Sequence, residues 1–475
     1  SGTFSVAISG TFSIAIDRAA YSIYGSVGDD HDRMLCLGFN GVLQEVTGME
    51  NDMASGVLIV VENLPVPFDR RVWMEATTLR RAGYQVSVIC PKGKGFEQEK
   101  EVIDGIHIYR HPLPDEESSA FGYVREYAAA IRWEFRLAQR VWEERGFDII
   151  HICNPPDLLF LVAAWFKWRY GTKVVFDHHD LAPELYRAKF GRRGAFYWAL
   201  RATEWLTYRT ADVVIATNES HKRIALTRGG KKRSEIFIVQ SGPDLSRFVT
   251  LPEQAYRYRK RQYVVGYVGV MGEQEGVDTL LKAAHHLVHG MGRRDVHFML
   301  IGGGPVLRQL IDLASELDIS EYVEFAGWCF GQELIDRLGA CDVCVSPDPK
   351  TEYTDCCTMN KVLEYMALGK PIVQFDLVEA RRSAGDAALY ARPGDHVDFA
   401  RKIHELLSDP ERAGKMGAIG RERIEDVFEW RHQVPHLLAA YRRALEIGGK
   451  LLRGGKRPAT AVDSDVDKGV PAMGQ

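Results

Sequence analysis

Residues 354–373, TDCCTMNKVLEYMALGKPIV, read as a short helix followed by a strand. Met359, Val362, Leu363, Met366 and Ala367 recur at helical spacing and form one apolar stripe. Gly369 is placed to end the helix, and Pro371 keeps it from resuming. Glu364 falls off the stripe, about 40° beyond Asn360 at roughly 100° per residue. The helix opens after an apolar strand, VCVSPD. Ligands of open α/β sheets bind at such strand ends. A carboxylate there can accept hydrogen bonds from both hydroxyls of a ribose diol, which an amide or hydroxyl cannot copy. The plain alternative is a surface carboxylate paired with Lys361, one turn back, worth a few tenths of a kcal/mol. Asn360 and Lys361 stand in the first turn and can face a diphosphate, or be solvated. A cation there opposes the helix dipole, which favours a functional reason for Lys361.

Other groups of reactive or binding residues sit at comparable places. FDHHDLAPE puts His178, His179 and Asp180 at the end of the strand TKVVFD. Two histidines beside two carboxylates at a strand tip suit proton transfer or substrate contact. Adjacent histidines on extended chain point to opposite sides, so they are not a natural pair of metal ligands. NLPVPFDRRVW places Asp69, Arg70 and Arg71 where strand gives way to helix. Arginines there can hold an anionic substrate group, or be surface residues of the helix. The turn MGEQEG carries Gly272 and Gly276, which allow backbone N–H groups to approach an anion at a helix start. It is not a GxGxxG, and a plain βα turn is its simplest reading. GGGP, residues 302–305, is a second such turn.

These pieces need a scaffold of alternating strands and helices, and the chain supplies it twice. VLIVVEN begins at Val57, followed by a helix carrying Val72, Ala76, Leu79 and Ala82. QVSVIC, IHIYRH, a long amphipathic helix over about 123–145, DIIHICN, TKVVFDHHD, ADVVIATN and IFIVQSG follow. A polar, irregular break covers about 241–262. The alternation then restarts with YVVGYVGV, HFMLIGGG, VEFAGW, VCVSPD and PIVQFD, with helices between them and over about 395–447. Repeated βα units predict parallel, doubly wound sheets, one in each half. A cleft between them suits a substrate with two distinct parts.

The length of 475 residues fits two domains plus extras. A formal net charge of −4 gives no case for nucleic acid as partner. The eight cysteines are scattered, as in a reducing compartment. Cys341 and Cys344 form a single CxxC with no second pair, and are read as core thiols. No apolar run reaches the ~18 residues of a spanning helix. No secretory signal is evident, and a cytoplasmic location is expected. Residues 1–55, opening on the near-duplication SGTFSVAI/SGTFSIAI, are read as an appendage, and 448–475 as a disordered tail.

From about 57 to 445 the chain resembles the family-4 glycosyltransferases of GT-B fold, most nearly their bacterial polysaccharide and cell-envelope branch. The matching pieces, in family order, are NLPVPFDRRVWMEA, HICNPPDLLF, FDHHDLAPELY, ADVVIATNES, SGPDLSRF, YVGVMGEQEGVDTLL, SPDP and TMNKVLEYMALGKPIV. The resemblance implies two Rossmann-like doubly wound domains facing a central cleft: an acceptor domain over 56–245 and a nucleotide-sugar domain over 262–428. The last helix, within 430–447, would pack back on the first. It implies a retaining hexosyl- or N-acetylhexosaminyl-transferase that uses a nucleotide-diphosphate sugar and neither cofactor nor metal. By resemblance Glu364 holds the donor ribose, and His179 is the catalytic-region histidine over the donor sugar. Gly272, Gly276, Asp348, Lys350, Thr358, Asn360 and Lys361 complete the donor side. Asp69, Arg70, Arg71, Asn154, Asp157, His178 and Asp180 form the acceptor side.

Several positions depart from the family pattern. Its first motif glutamate falls at Cys356, so Asp355 or Asp348 would contact the sugar. Its usual phosphate-loop Arg and Lys fall at Val270 and Glu275, leaving Lys361 and Lys350 to oppose the diphosphate. The acceptor is not legible. RAKFGRRGAFYWALR, YVREYAAAIRWEFRLAQR and HKRIALTRGGKKR carry basic residues, interleaved with aromatics in the first two. They suit anionic headgroups, a lipid-linked acceptor and peripheral contact at the inner membrane face, or are amphipathic helices with solvated basic sides. Two rival classes share the scaffold: a sugar-nucleotide epimerase using His178, His179 and Asp180, and a non-catalytic sugar-nucleotide-binding protein. A dinucleotide oxidoreductase lacks its GxGxxG and following acidic residue.

Overall fold

The computed structural model describes residues 55–112, 120–191, 193–249 and 256–447, with backbone alone for 120–128. The appendage over 1–55, save its last residue, and the tail over 448–475 lie outside the described residues.

The first domain is one eight-stranded sheet. Its strands are β1 (Gly56–Val61), β2 (Gln85–Pro91), β3 (Lys100–Ile103), β4 (Ile106–His111), β5 (Ile149–Cys153), β6 (Lys173–His178), β7 (Val213–Ala216) and β8 (Ile236–Ile238). Their order is β3-β4-β2-β1-β5-β6-β7-β8. The central strands are continuous apolar runs because both faces are covered. Helix α1 (Arg70–Arg81) packs on one face. Helices α2 (Ala120–Glu144), α3 (Phe160–Tyr170), α5 (Ala195–Thr210) and α6 (Glu219–Thr227) cover the other, with α4 (Ala182–Phe190) running between β6 and α5.

One strand departs from the sequence reading, which has IHIYRH alone at this edge. β3 pairs antiparallel with β4 through a tight turn at Asp104–Gly105, both at positive φ (50° and 73°). Asp-Gly between two short runs is a hairpin signal, and it makes this sheet mixed at its edge.

The second domain is wholly parallel. Its strands are β9 (Tyr263–Val268), β10 (Val296–Ile301), β11 (Val323–Gly327), β12 (Val343–Ser346), β13 (Ile372–Phe375) and β14 (Ala388–Ala391). They lie in the order β11-β10-β9-β12-β13-β14. Its helices are α7 (Val277–His285), α8 (Leu307–Glu316), α9 (Gly331–Gly339), α10 (Asn360–Ala367), α11 (Val378–Ala384), α12 (His396–Ser408) and α13 (Pro410–Arg423). Strand order reverses between β9 and β12, so the loops after these two strands diverge and leave a crevice. The corresponding reversal in the first sheet lies between β1 and β5.

The chain crosses between domains twice, side by side. The first crossing passes Ser241–Pro243; the second leads into α14 (Trp430–Glu446). The Trp430 N–H donates to Pro243 O at 3.3 Å. A Cβ on Gly242 would lie 1.7 Å from Phe428 O, so only glycine lets the two strands of chain touch. α14 then lies on the first sheet beside α1. Val434, Leu437, Leu438 and Tyr441 join that core, and the Tyr441 hydroxyl meets His151 Nδ1 at 2.5 Å.

Candidate active site

The crevice of the second domain is built by the loops after β9 and β12. Gly276 closes the first loop at φ 69°, and a Cβ there would fall 2.1 Å from Pro347 O. Glycine is therefore required both for the turn and for seating the loop on SPDP. α7 starts at the next residue. Lys361, in the first turn of α10, places Nζ 2.8 Å from Asp348 Oδ1 and 3.1 Å from Glu275 Oε2, and over the Tyr267 ring at 5.0 Å. Burial works against this charge, yet Asp348, Tyr267 and Glu275 hold the ammonium well above the ordinary lysine range. Asp348 also accepts a hydrogen bond from the Ser346 hydroxyl. Burial pushes the Glu275 carboxyl up, with Lys361 pulling against it.

Glu364 stands one turn along α10, 18% exposed, while Val362, Leu363, Met366 and Ala367 are buried. Its partner is not Lys361. Arg70 Nη1, at the start of α1 in the other domain, lies 2.8 Å from Glu364 Oε1. Burial raises the Glu364 carboxyl and Arg70 opposes that shift. Asn360 is exposed at the helix start. Lys350 is turned aside: its Nζ donates to Asp376 O at 3.2 Å and lies 3.6 Å from Asp355 Oδ1.

On the facing wall, His179 follows β6 and is 16% exposed. Its Nε2 lies 2.5 Å from Asp177 Oδ2. An ionised carboxylate partner assigns the ring proton to Nε2. Arg71 Nε, 3.0 Å from the same Nε2, donates to Asp177 Oδ2 at 2.9 Å. Burial alone would raise Asp177; Arg71 and His179 outweigh it and keep the carboxyl ionised, well below its usual range. Asn154, 2% exposed, fixes the same loop. Its Oδ1 accepts the N–H groups of His179 (2.8 Å) and Asp180 (3.3 Å), and its Nδ2 donates to Asp180 O (2.8 Å) and Asp157 Oδ1 (3.1 Å).

Three acceptor-side expectations, at Arg71, His178 and Asp157, are corrected by these contacts. Arg71 does not face a substrate: it is buried, bonded twice to Asp177 and once to Val239 O. His178 is fully buried, its Nδ1 2.9 Å from the Tyr208 hydroxyl, because alternation turns it into the helical layer. Asp157 is 5% exposed; burial, with Glu204 nearby, pushes its carboxyl up to about 8. Asp69 caps α1, accepting the Val72 N–H at 3.1 Å. Asn154 and Arg71 thus position the His179 loop, and Asp180 reaches across: its Oδ1 accepts the Tyr353 hydroxyl at 2.8 Å.

Other cross-cleft contacts come from residues to which the sequence reading gives no role in the cleft. Asn218, within the quoted ADVVIATNES, donates to Cys356 O at 2.8 Å and Thr358 Oγ1 at 3.2 Å. Ser220 Oγ donates to Glu379 Oε1 at 2.5 Å, and Arg187 pairs with Glu352. An N-cap asparagine right after a strand is their one sequence signal. Among the described residues, two groups have metal-ligand types within reach of one another. In the first, His151 meets the Tyr441 hydroxyl and Asp177 is paired with Arg71; in the second, Glu62 and His111, at the ends of β1 and β4, meet Glu134 of α2.

The arrangement is a two-walled cleft. One wall offers a carboxylate, a glycine-bearing loop at a helix start and an ammonium between two carboxylates. The other offers a histidine oriented by a buried aspartate.

Two family models match the chain: "Glycosyl transferase 4-like domain" over residues 69–239 and "Glycosyl transferases group 1" over 262–409. The D-inositol 3-phosphate glycosyltransferase of Gordonia bronchialis is 26% identical over 395 residues, 79% of this chain and 83% of that protein. The MMP alpha-(1->4)-mannosyltransferase of Mycolicibacterium hassiacum is 28% identical over 405 residues, 77% of this chain and 92% of that one. In fold, sucrose-phosphate synthase from Thermosynechococcus elongatus superposes with a TM-score of 0.66 at 18% identity, over 82% of this chain and 99% of that one. Anabaena Alr3699/HepE in complex with UDP-glucose gives 0.61 at 14%, over 82% and 99%. These matches do not favour the isomerase alternative. With one matching model on each sheet and the crevice residues between them, the chain belongs to the group 1, family-4-like glycosyltransferases of GT-B fold.

Proposed function

We propose that the protein moves a hexosyl or N-acetylhexosaminyl group from a nucleotide-diphosphate sugar to an acceptor hydroxyl, with retention at the anomeric carbon. The observation that carries this reading is Glu364. It stands on α10, which follows β12 at the strand-order reversal of the second sheet, and its carboxylate meets Arg70 of the other wall; a ribose diol bound there would engage it. A neighbouring structure that holds UDP-glucose supports a nucleotide sugar as donor.

Negative charge builds on the leaving diphosphate, so stabilising it is the main catalytic task. The backbone N–H groups over 272–276, the start of α7 and Lys361 supply that stabilisation. Asp348 and Glu275 hold the Lys361 ammonium in place and temper its charge. The acceptor approaches from the first domain, on the side of His179 and Asp180. With no carboxylate nucleophile assigned, retention follows from attack on the face the diphosphate leaves, the diphosphate taking the acceptor proton. Closure of the two walls excludes water and limits hydrolysis of the donor. The acceptor class that fits the basic, aromatic helices of the first domain is lipid-linked.

The test is incubation with a panel of nucleotide sugars and a lipid-extract acceptor, reading nucleoside diphosphate release and glycosylated product. Product that disappears in Glu364→Ala supports the reading. Binding of every donor without turnover on any acceptor points instead to a sugar-nucleotide-binding protein.

A further inference from the structure

The outer side of the helical layer formed by α2, α3 and α5 differs from the rest of the surface. All four exposed tryptophans among the described residues stand on it: Trp133 on α2, Trp168 on α3, and Trp198 and Trp205 on α5. Trp168 is 82% exposed and Trp198 59%. Leu161, Phe196 and Leu206 add apolar surface beside them. The three helices pack side by side over the first sheet, so these side chains share one face. Exposed aromatic side chains gathered on one face of a folded protein mark something that covers it.

Among the described side chains, the charge on this face is one-sided. Arg136 stacks over Trp133 at 5.7 Å and Arg209 over Trp205 at 5.6 Å. An open groove of about 460 Å³ between α2 and α3 has apolar walls, among them Phe135 and Leu161, and carries Arg132 and Arg136. Among the described side chains of these helices, the exposed carboxylates are Glu143 and Glu144, together in the last turn of α2. Glu144 is held there by Lys100, Arg140 and the Tyr109 hydroxyl. Glu134 and Glu204 are buried.

We propose that this α2–α3–α5 face docks on an anionic phospholipid bilayer. Tryptophan rings partition to the boundary between headgroups and acyl chains, with the indole N–H left toward water. Guanidinium groups around them meet lipid phosphates, and anionic lipid adds a surface potential that attracts them. A second copy of the chain would set arginine against arginine across a two-fold axis, which the charge pattern disfavours. The face is also continuous with the cleft. α5 packs on α4, whose Arg187 reaches Glu352 on the opposite wall. Docking therefore brings the cleft mouth toward the bilayer, which specifies the lipid-linked acceptor of the proposed function and rests on that reading.

The test is flotation of the full chain with vesicles of phosphatidylcholine alone or containing about 30% phosphatidylglycerol, whose headgroup charge supplies the negative surface potential. Binding is expected only with the anionic lipid. Trp168→Ser/Trp198→Ser/Trp205→Ser lowers the apparent partition coefficient about tenfold or more. Arg132→Glu/Arg136→Glu lowers it about twentyfold on anionic vesicles. All five positions are exposed, and unchanged thermal melting checks that the variants fold. No flotation, equal flotation on both vesicles, or binding indifferent to both variants overturns the proposal. A dimer by light scattering that the tryptophan variant dissolves overturns it too, in favour of a protein interface. Nucleoside diphosphate thermal shifts on the same proteins separate the two readings. Retained shifts with lost docking leave the transferase standing, and absent shifts with retained docking do the reverse.

Discussion

Arg70 Nη1 and Glu364 Oε1 lie 2.8 Å apart across the cleft, 294 residues apart in sequence. The next residue, Arg71, touches Asp177 and His179. One turn of helix therefore ties the carboxylate of one wall to the histidine of the other. Any diol bound by Glu364 must share or displace the Arg70 guanidinium.

That pair is a weak competitor. Arg70 is 58% exposed, and an ion pair of this kind contributes at most about 1 kcal/mol. A diol held by an ionised carboxylate contributes about 1.5–3 kcal/mol for each hydrogen bond. With two such bonds lost, Glu364→Ala is expected to raise donor KM roughly 150-fold or more, whereas Arg70→Ala changes it less than about 5-fold. Initial-rate kinetics with varied donor checks both; normal donor kinetics in Glu364→Ala would end the model.

Lys361 sets up an opposite pair of substitutions. Removing its ammonium leaves Asp348 and Glu275 facing the diphosphate. Lys361→Ala is expected to weaken nucleoside diphosphate binding tenfold or more, while Glu275→Gln strengthens it several-fold by releasing the cation. Isothermal titration gives both values. The same direction of change in both variants would remove Lys361 from the phosphate site.

His179 is expected to act on turnover. His179→Ala should lower kcat by about 10²–10⁴ with donor KM within a few-fold. Asn154→Ala, which loosens the backbone of the same loop, should lower kcat less. A KM effect without a kcat effect in His179→Ala would reassign the residue to binding.

How much of this is legible in the sequence depends on range. Continuous apolar runs announce the parallel strands, because a strand covered on both faces has no polar side to hide. β3 escapes notice because four residues at a sheet edge, alternately exposed, carry little apolar signal. Helix phase alone sets Glu364 off the buried stripe. The partners of Lys361 lie 13 and 86 residues away, and no local pattern encodes them. The same holds for Arg71 and His178: spacing places them at element tips, but only packing decides whether a tip residue turns outward or into the core.

Arg71 supports the fold. Arg71→Ala strands Asp177 beside Glu75, two carboxylates without their buried cation. The expected loss of stability is about 3–5 kcal/mol by urea denaturation. A loss below about 1 kcal/mol would show that the pocket admits water.

Asp157 gives a pH dependence with a definite sign. Its folded pKa, pushed up to about 8, lies above the ordinary value of 3.8. Between these pH values the folded state holds a proton that the unfolded state has lost, so stability falls as pH rises. Glu204, raised to about 7 by burial with Arg228 opposing, adds in the same direction. Wild type should lose roughly 2–4 kcal/mol from pH 5 to 8 through Asp157, and more through Glu204, and Asp157→Asn should lose visibly less. Denaturation midpoints across that range decide it; parallel curves for the two proteins would contradict the assignment.

The position of α14 has a further consequence for biogenesis. Trp430, Leu437 and Tyr441 belong to the first lobe's core but are translated after the whole of the second lobe. The second lobe's main core, drawn from residues 265–416, has no such delay. During synthesis the lobe begun first must therefore wait, one flank of its sheet bare, until α14 leaves the ribosome. Completion runs backwards relative to translation, and a nascent chain stalled before residue 430 would be a substrate for chaperones rather than half an enzyme.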